Sequence, residues 1–294
     1  MLRDSRVLVR ALTGIALGAG AVAFASQQPT FRADIRVVPI YATVTGPDGR
    51  LLSGLGRDEF SVLDDGKPTP VTVFSNEPTA VTATVLWDVS NSQTIHAPRS
   101  RAVARALVDA FWPDDRVRFG TFGAAVVFSP HLTADKQTLR RIVAEEIWFG
   151  GGTPVWSALR RALVDLSTAD GRRVVVILTD GEASGDYTSR RDVLVMMHKA
   201  DAMVYVLGLE DAAFTEEIRD VAEEGGGGYL RLTRGADVER EMAAVMSEIH
   251  HQYLIGFSPV ARDGRMHRLT VSVRAPGAKV RARRSYVAPR LPEP

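Results

Sequence analysis

From about Thr82 to Gln252 the chain alternates short apolar runs with amphipathic stretches long enough for several turns of helix. Parallel strands require long crossover connections, so this alternation predicts an α/β fold: a doubly wound, mostly parallel sheet with helices on both faces. Strands are expected at 82–87, 117–122, 125–128, 173–178, 203–207 and 229–232, and helices at 97–111, 135–146, 154–166, 188–199, 213–224 and 237–252. Outside this region the period changes. Residues 35–44, 60–63 and 71–74 are β-type runs broken by the turns Pro47-Asp48-Gly49 and Asp64-Asp65-Gly66, and period two returns at 253–257, 267–274 and 280–286. Neither flank has strands enough to cover a core. Residues 33–75 and 253–287 are therefore expected to pack on each other as a small antiparallel β-sandwich, with the α/β domain inserted between them.

The first residues follow a third pattern. Arg3, Arg6 and Arg10 lead into a fifteen-residue apolar run that ends Ala23-Phe24-Ala25 before Ser26. That run is shorter than the about 20 residues a spanning helix needs, and small residues stand where a signal peptidase cuts. The expected organisation is a signal peptide at 1–25, an N-terminal β segment at 26–78, the α/β domain at 79–252 and a C-terminal β segment at 253–294. The product would be exported, periplasmic or extracellular, with no membrane span after cleavage; an uncleaved anchor is the alternative. Cleavage would remove three arginines and one aspartate, taking the net charge from +1 to −1. Neither value gives a global field for nucleic acid. With no cysteine, disulfides, thiolate metal sites and Cys nucleophiles are excluded, so any metal must use oxygen or histidine ligands.

Three segments carry chemistry. The strand at 82–87 runs into Asp88-Val89-Ser90-Asn91-Ser92, which spaces one carboxylate and two hydroxyls by two residues. Gly150-Gly151-Gly152-Thr153-Pro154 brings a flexible backbone and one hydroxyl to the start of a helix, and Leu178-Thr179-Asp180 ends another apolar strand. In open α/β sheets, ligands bind at the carboxyl ends of strands near the switch point, where all three would converge. Asp88, Ser90, Ser92, Thr153 and Asp180 together make a hard oxygen cage, suited to Mg²⁺ or to another hard divalent cation such as Mn²⁺ or Ca²⁺. Singly, each is an ordinary helix cap or turn former; Gly181 and Glu182 read as a turn and a helix start.

In the order DxSxS, Thr, Asp, these residues resemble the metal-ion-dependent adhesion site of the von Willebrand factor type A (VWFA) domain. The flanks are similar to a bacterial subgroup of exported VWFA proteins, through Val44-Thr45-Gly46-Pro47-Asp48-Gly49-Arg50, Asp58-Glu59-Phe60-Ser61-Val62 and Tyr253-Leu254-Ile255-Gly256-Phe257. The resemblance implies a non-catalytic binding or adhesion module whose cation completes its shell with an Asp or Glu carboxylate of a protein partner. An accessory or regulatory subunit of an envelope enzyme or secretion assembly is the alternative. Many family members continue the motif with Met; here Gln93 and Thr94 follow, which predicts a more polar lip. A Ser hydrolase is disfavoured because His96 has no acid placed beside it. An aspartyl phosphotransferase is disfavoured because Ser90 stands where a second Asp is needed. Adjacent His250 and His251 on a helix do not share a face. Residues 261–290 hold nine basic side chains and one Asp, which reads either as the wet face of a strand pair or as a weak contact for anionic envelope polymers.

Overall fold

The computed structural model describes residues 37–145, 147–180, 183–209 and 216–290; the expected signal peptide lies outside them. The first β segment forms β1 (Val38–Thr45), β2 (Phe60–Asp64), β3 (Lys67–Thr69) and β4 (Val73–Ser75). There follow β5 (Val81–Asp88), α1 (Ala97–Ala110), β6 (Arg116–Phe122), β7 (Val126–Phe128), α2 (Lys136–Ala144) and α3 (Val155–Leu166). Next come β8 (Arg172–Thr179), α4 (Arg190–Ala200), β9 (Ala202–Leu209), α5 (Glu216–Glu224), β10 (Tyr229–Leu232) and α6 (Val238–His250). The chain closes with β11 (Tyr253–Phe257), β12 (Met266–Val273), β13 (Lys279–Ala282) and β14 (Ser285–Val287).

The central sheet has the order β10-β9-β8-β5-β6-β7, parallel except for the β6–β7 pair. Every residue of β5 and β9 is buried, as apolar strands covered on both faces must be. One face packs Trp87, Val103, Leu107, Met242 and Ile249 beneath α1, α2 and α6; the other packs Leu86, Leu159, Leu163, Ile177 and Val206 beneath α3, α4 and α5. The winding reverses at β5, since the chain leaves it first toward β6 and later returns on its other side as β8. The switch point thus lies between β5 and β8. Helix starts follow local chemistry: Asp135 accepts from the Gln137 and Thr138 amides, Asp237 from the Arg240 amide, and Ser189 forms a capping box with Asp192.

The α/β fold expected from the sequence is present, set in antiparallel β-sheets. Those sheets have the orders β13-β1-β11-β4 and β14-β12-β2-β3, so each mixes strands from the two ends of the described chain. Their shared core contains Ile40, Phe60, Tyr253, Ile255, Phe257, Leu269 and Tyr286. Two details depart from the sequence reading. The run 280–286 is two strands in different sheets, interrupted where Arg283 turns inward to bond Asp201 at 2.7 Å. Strand β3, Lys-Pro-Thr, is an edge strand too polar to show a β pattern. The basic segment is also partly neutralised from within, because Arg281 pairs with Glu248 and Arg284 with Glu223. No helix among the described residues is long and apolar enough to cross a membrane.

The sandwich joins the amino end of the parallel strands and leaves the carboxyl end open. Arg172, at the start of β8, donates to the carbonyls of Ile249, His250 and Gln252 and lies over the Tyr41 ring. Asp115 is fully buried; it accepts from the Val81 and Trp112 amides and faces His250 Nε2 at 2.9 and 3.1 Å. The His250 ring stacks on Trp112, whereas the exposed His251 meets the edge of the same indole and turns its Nδ1 to the Ser247 carbonyl. Replacing Asp115 by Ala orphans two amides and a buried imidazole. Denaturant unfolding of Asp115→Ala is expected to show a loss of about 3 to 5 kcal/mol; a loss near zero would mean that water replaces the carboxylate.

Candidate metal centre

Strand β5 carries Asp88 to the head of the sheet, where only 1% of the residue is exposed. Its Oδ1 accepts from the Ser90 amide at 2.9 Å, and its Oδ2 from the Thr179 hydroxyl at 2.6 Å. Burial raises the Asp88 carboxyl to about 6; the Ser90 and Thr179 hydrogen bonds oppose the rise, and the nearby Asp180 charge adds to it. The Ser90 and Ser92 hydroxyls lie 3.0 Å apart. Ser90 is buried and Ser92 exposed, so this loop runs from the floor of the site to its rim.

The glycine loop is laced to it by backbone bonds. Gly150 donates to the Val89 carbonyl at 2.7 Å, and Asn91 donates to that of Gly151 at 3.1 Å. Gly151 sits at φ +82°, and a Cβ there would strike Ala124 at 2.5 Å, which is why glycine is required. Thr153, 5% exposed, follows, and its amide bonds Ser184 in the loop after β8. Asp186 from that same loop caps α3, accepting from the amides of Trp156 and Ser157 and from the Ser157 hydroxyl. Asp180 directly follows β8. The loops bearing Asp88, Ser90, Ser92, Thr153 and Asp180 are thus tied together at the switch point. Gly181 and Glu182 lie outside the described residues.

Three positioning residues escaped the sequence reading. Thr179 could have been found as a hydroxyl one residue before Asp180; Ser184 and Asp186 have no local signal, because their partners are thirty residues away. Gln93 corrects the expectation of a polar lip. It is fully buried, with both amide atoms unpartnered, because the short 3-10 helix over Asn91–His96 turns position 93 inward; Thr94 and Ile95 face solvent instead. Trp156 is buried in the core, while Trp148 is 73% exposed and lies against Gly150.

The chain's own atoms test whether a cation suits this set. Oδ1 of Asp180 is buried and has no hydrogen-bond partner, a costly state for a carboxylate oxygen unless a cation faces it. All five side chains offer oxygen, which fits Mg²⁺, Mn²⁺ or Ca²⁺ better than a softer metal.

A family model described as von Willebrand factor type A domain matches residues 84–242. No curated protein gives a match. Among solved structures, von Willebrand factor type A from Catenulispora acidiphila is 12% identical, covering 88% of this chain and 76% of its own, with a TM-score of 0.52. That coverage reaches beyond the family match into the β segments. Proximal thread matrix protein 1 from the mussel byssus is 16% identical over 63% of this chain and 49% of its own, with a TM-score of 0.50. An aerotolerance-related membrane protein from Bacteroides fragilis is 20% identical over 58% and 98%, with a TM-score of 0.48. At these identities the likeness is one of fold.

A carboxyl raised in the folded state stabilises the fold only while it is protonated. In chelator, the wild type should therefore lose stability as pH rises from about 4 to about 6, and Asp88→Asn should lose less. Thermal melts across that range check this; parallel curves for the two proteins would show that Asp88 is not strained.

Proposed function

This chain belongs to the von Willebrand factor type A domain family, and on that premise we propose that it is an exported, non-catalytic binding module. In this reading Asp88, Ser90, Ser92, Thr153 and Asp180 hold one divalent cation, with Mg²⁺ the first choice and Mn²⁺ or Ca²⁺ the alternatives. The observation that carries it is the buried, unpartnered Oδ1 of Asp180 beside a second carboxylate, Asp88, whose ionisation is opposed by burial. Two carboxylates brought together in a crevice destabilise each other without a counter-charge. When bound, the cation supplies an electron-poor centre for an Asp or Glu carboxylate of a protein partner.

The division of labour among the residues follows from burial. Asp88, Ser90 and Thr153 form the floor, while Ser92 and the partly exposed Asp180 stand at the mouth. Ile95, 81% exposed, and Trp148 offer apolar surface on the two loops that meet there, which suits a protein rather than a small anion. Residues 1–25 are removed on export, 79–252 bind, and the two flanking segments, over their described residues 37–78 and 253–290, form the base. Contact with anionic envelope polymers falls to basic side chains of the C-terminal segment other than Arg281, Arg283 and Arg284. In this reading neither carboxylate serves as a general base: Asp88 is held by hydrogen bonds from Ser90 and Thr179, and Asp180 is committed to the cation.

A pull-down from envelope extract should retain a partner on wild-type protein with Mg²⁺, and lose it with EDTA or with Asp88→Ala. Retention indifferent to both would overturn the cation-dependent reading. Turnover on a broad substrate panel, abolished by Asp88→Ala, would overturn the non-catalytic one.

A further inference from the structure

A second group of ligand-bearing side chains lies in the sandwich, built from both flanks. Asp64 ends β2, and Asp65 opens the turn into β3 with φ +46°. His267 lies on β12, where its neighbour-but-one Leu269 pairs with Asp64. The turn is pinned to β12 in both directions: the Asp65 amide donates to the Arg268 carbonyl, and the Arg268 amide to Asp65 Oδ1, each at 2.9 Å. The His267 Nδ1 atom is then 3.0 Å from Asp64 Oδ1 and 3.1 Å from Asp65 Oδ2.

Two carboxylate oxygens thus meet one ring nitrogen, which can hold a single proton between them. The outward atoms are already engaged. Asp64 Oδ2 accepts from the Tyr286 hydroxyl at 2.9 Å, Asp65 Oδ1 from the Arg268 amide, and His267 Nε2 faces Asp263 Oδ1 at 3.3 Å. With a cation in place of that proton, Asp263 would keep the ring proton on Nε2 and leave the Nδ1 lone pair for the metal, as the outer partners of metal-bound imidazoles do. Three ligands about 2.1 Å from a tetrahedral centre stand about 3.4 Å from one another; here the two nitrogen–oxygen separations are 3.0 and 3.1 Å, and the three atoms lie within 4.8 Å of one another.

We propose that Asp64 Oδ1, Asp65 Oδ2 and His267 Nδ1 form a binding site for one borderline divalent cation, of which Zn²⁺ is the representative. An imidazole with two carboxylates favours zinc over magnesium, which prefers oxygen alone. The Asp65 side chain is 52% exposed, so the remaining coordination position opens to water. The cation joins β2 and β12, strands that lie roughly 200 residues apart in sequence, and so acts as a clamp on the sandwich. It is distinct from the carboxyl-end site in both residues and metal preference.

The test is calorimetric titration of the chelator-stripped, untagged full chain with Zn²⁺ at neutral pH, in excess Mg²⁺ so that the other site is not counted. Wild type and Asp88→Ala should each bind one Zn²⁺ at micromolar concentration and melt at a higher temperature with it. Asp65→Asn keeps the turn, because Asn tolerates positive φ and still accepts from the Arg268 amide; it should bind about tenfold more weakly or worse. His267→Gln should lose binding. No heat of Zn²⁺ binding by the wild type, or unchanged affinity in Asp65→Asn, would overturn the site and leave His267 holding only a proton between aspartates. Loss of Zn²⁺ binding in Asp88→Ala alone would place the zinc at the other centre, which also overturns it.

Discussion

A carboxylate buried at the head of the central strand is the constraint around which the carboxyl end of this molecule is arranged. Removing Asp88 from water is unfavourable, and two hydrogen bonds, from the Ser90 amide and the Thr179 hydroxyl, offset only part of that cost. Asp180 adds a second negative charge nearby, which makes the balance worse. A surface position would have avoided the conflict; the topology instead places both residues at the crevice between β5 and β8, where the sheet changes winding direction. Strain of this kind at a site with an open mouth is what a cation would relieve.

The amino end of the same sheet serves the opposite purpose. There Arg172 satisfies three carbonyls of the segment that leaves α6, and Asp115 ties the starts of β5 and of the β6 approach to His250. Tyr205, Glu248, Gln252 and Thr43 continue the polar contact between sheet and sandwich. These groups are buried and specific, so the sandwich is held as a base, and the loops at the other end are left to carry binding.

What the sequence made legible were features decided by short-range patterns. Strands β5, β8 and β9 showed as continuous apolar runs because both of their faces are covered, and the helices between them showed as amphipathic stretches. The spacing in Asp88, Ser90 and Ser92 was readable for the same reason. What was not legible depended on which way a side chain turns once distant segments meet. Gln93 reads as a polar lip residue and is buried; Asp186 carries no local signal and caps a helix thirty positions earlier in the chain. The Asp64–Asp65–His267 group was invisible as a cluster, since a hairpin turn and a strand two hundred residues away look like ordinary β grammar when read apart.

The central claim, that the five carboxyl-end residues enclose one hard divalent cation, is tested most directly by crystals of the protein grown or soaked with Mn²⁺ and measured for anomalous scattering. The account predicts one peak bounded by side-chain oxygens of Asp88, Ser90, Ser92, Thr153 and Asp180, open to solvent on one side. A map without a peak there at millimolar Mn²⁺, or a peak that Thr153 and Asp180 do not reach, would contradict it.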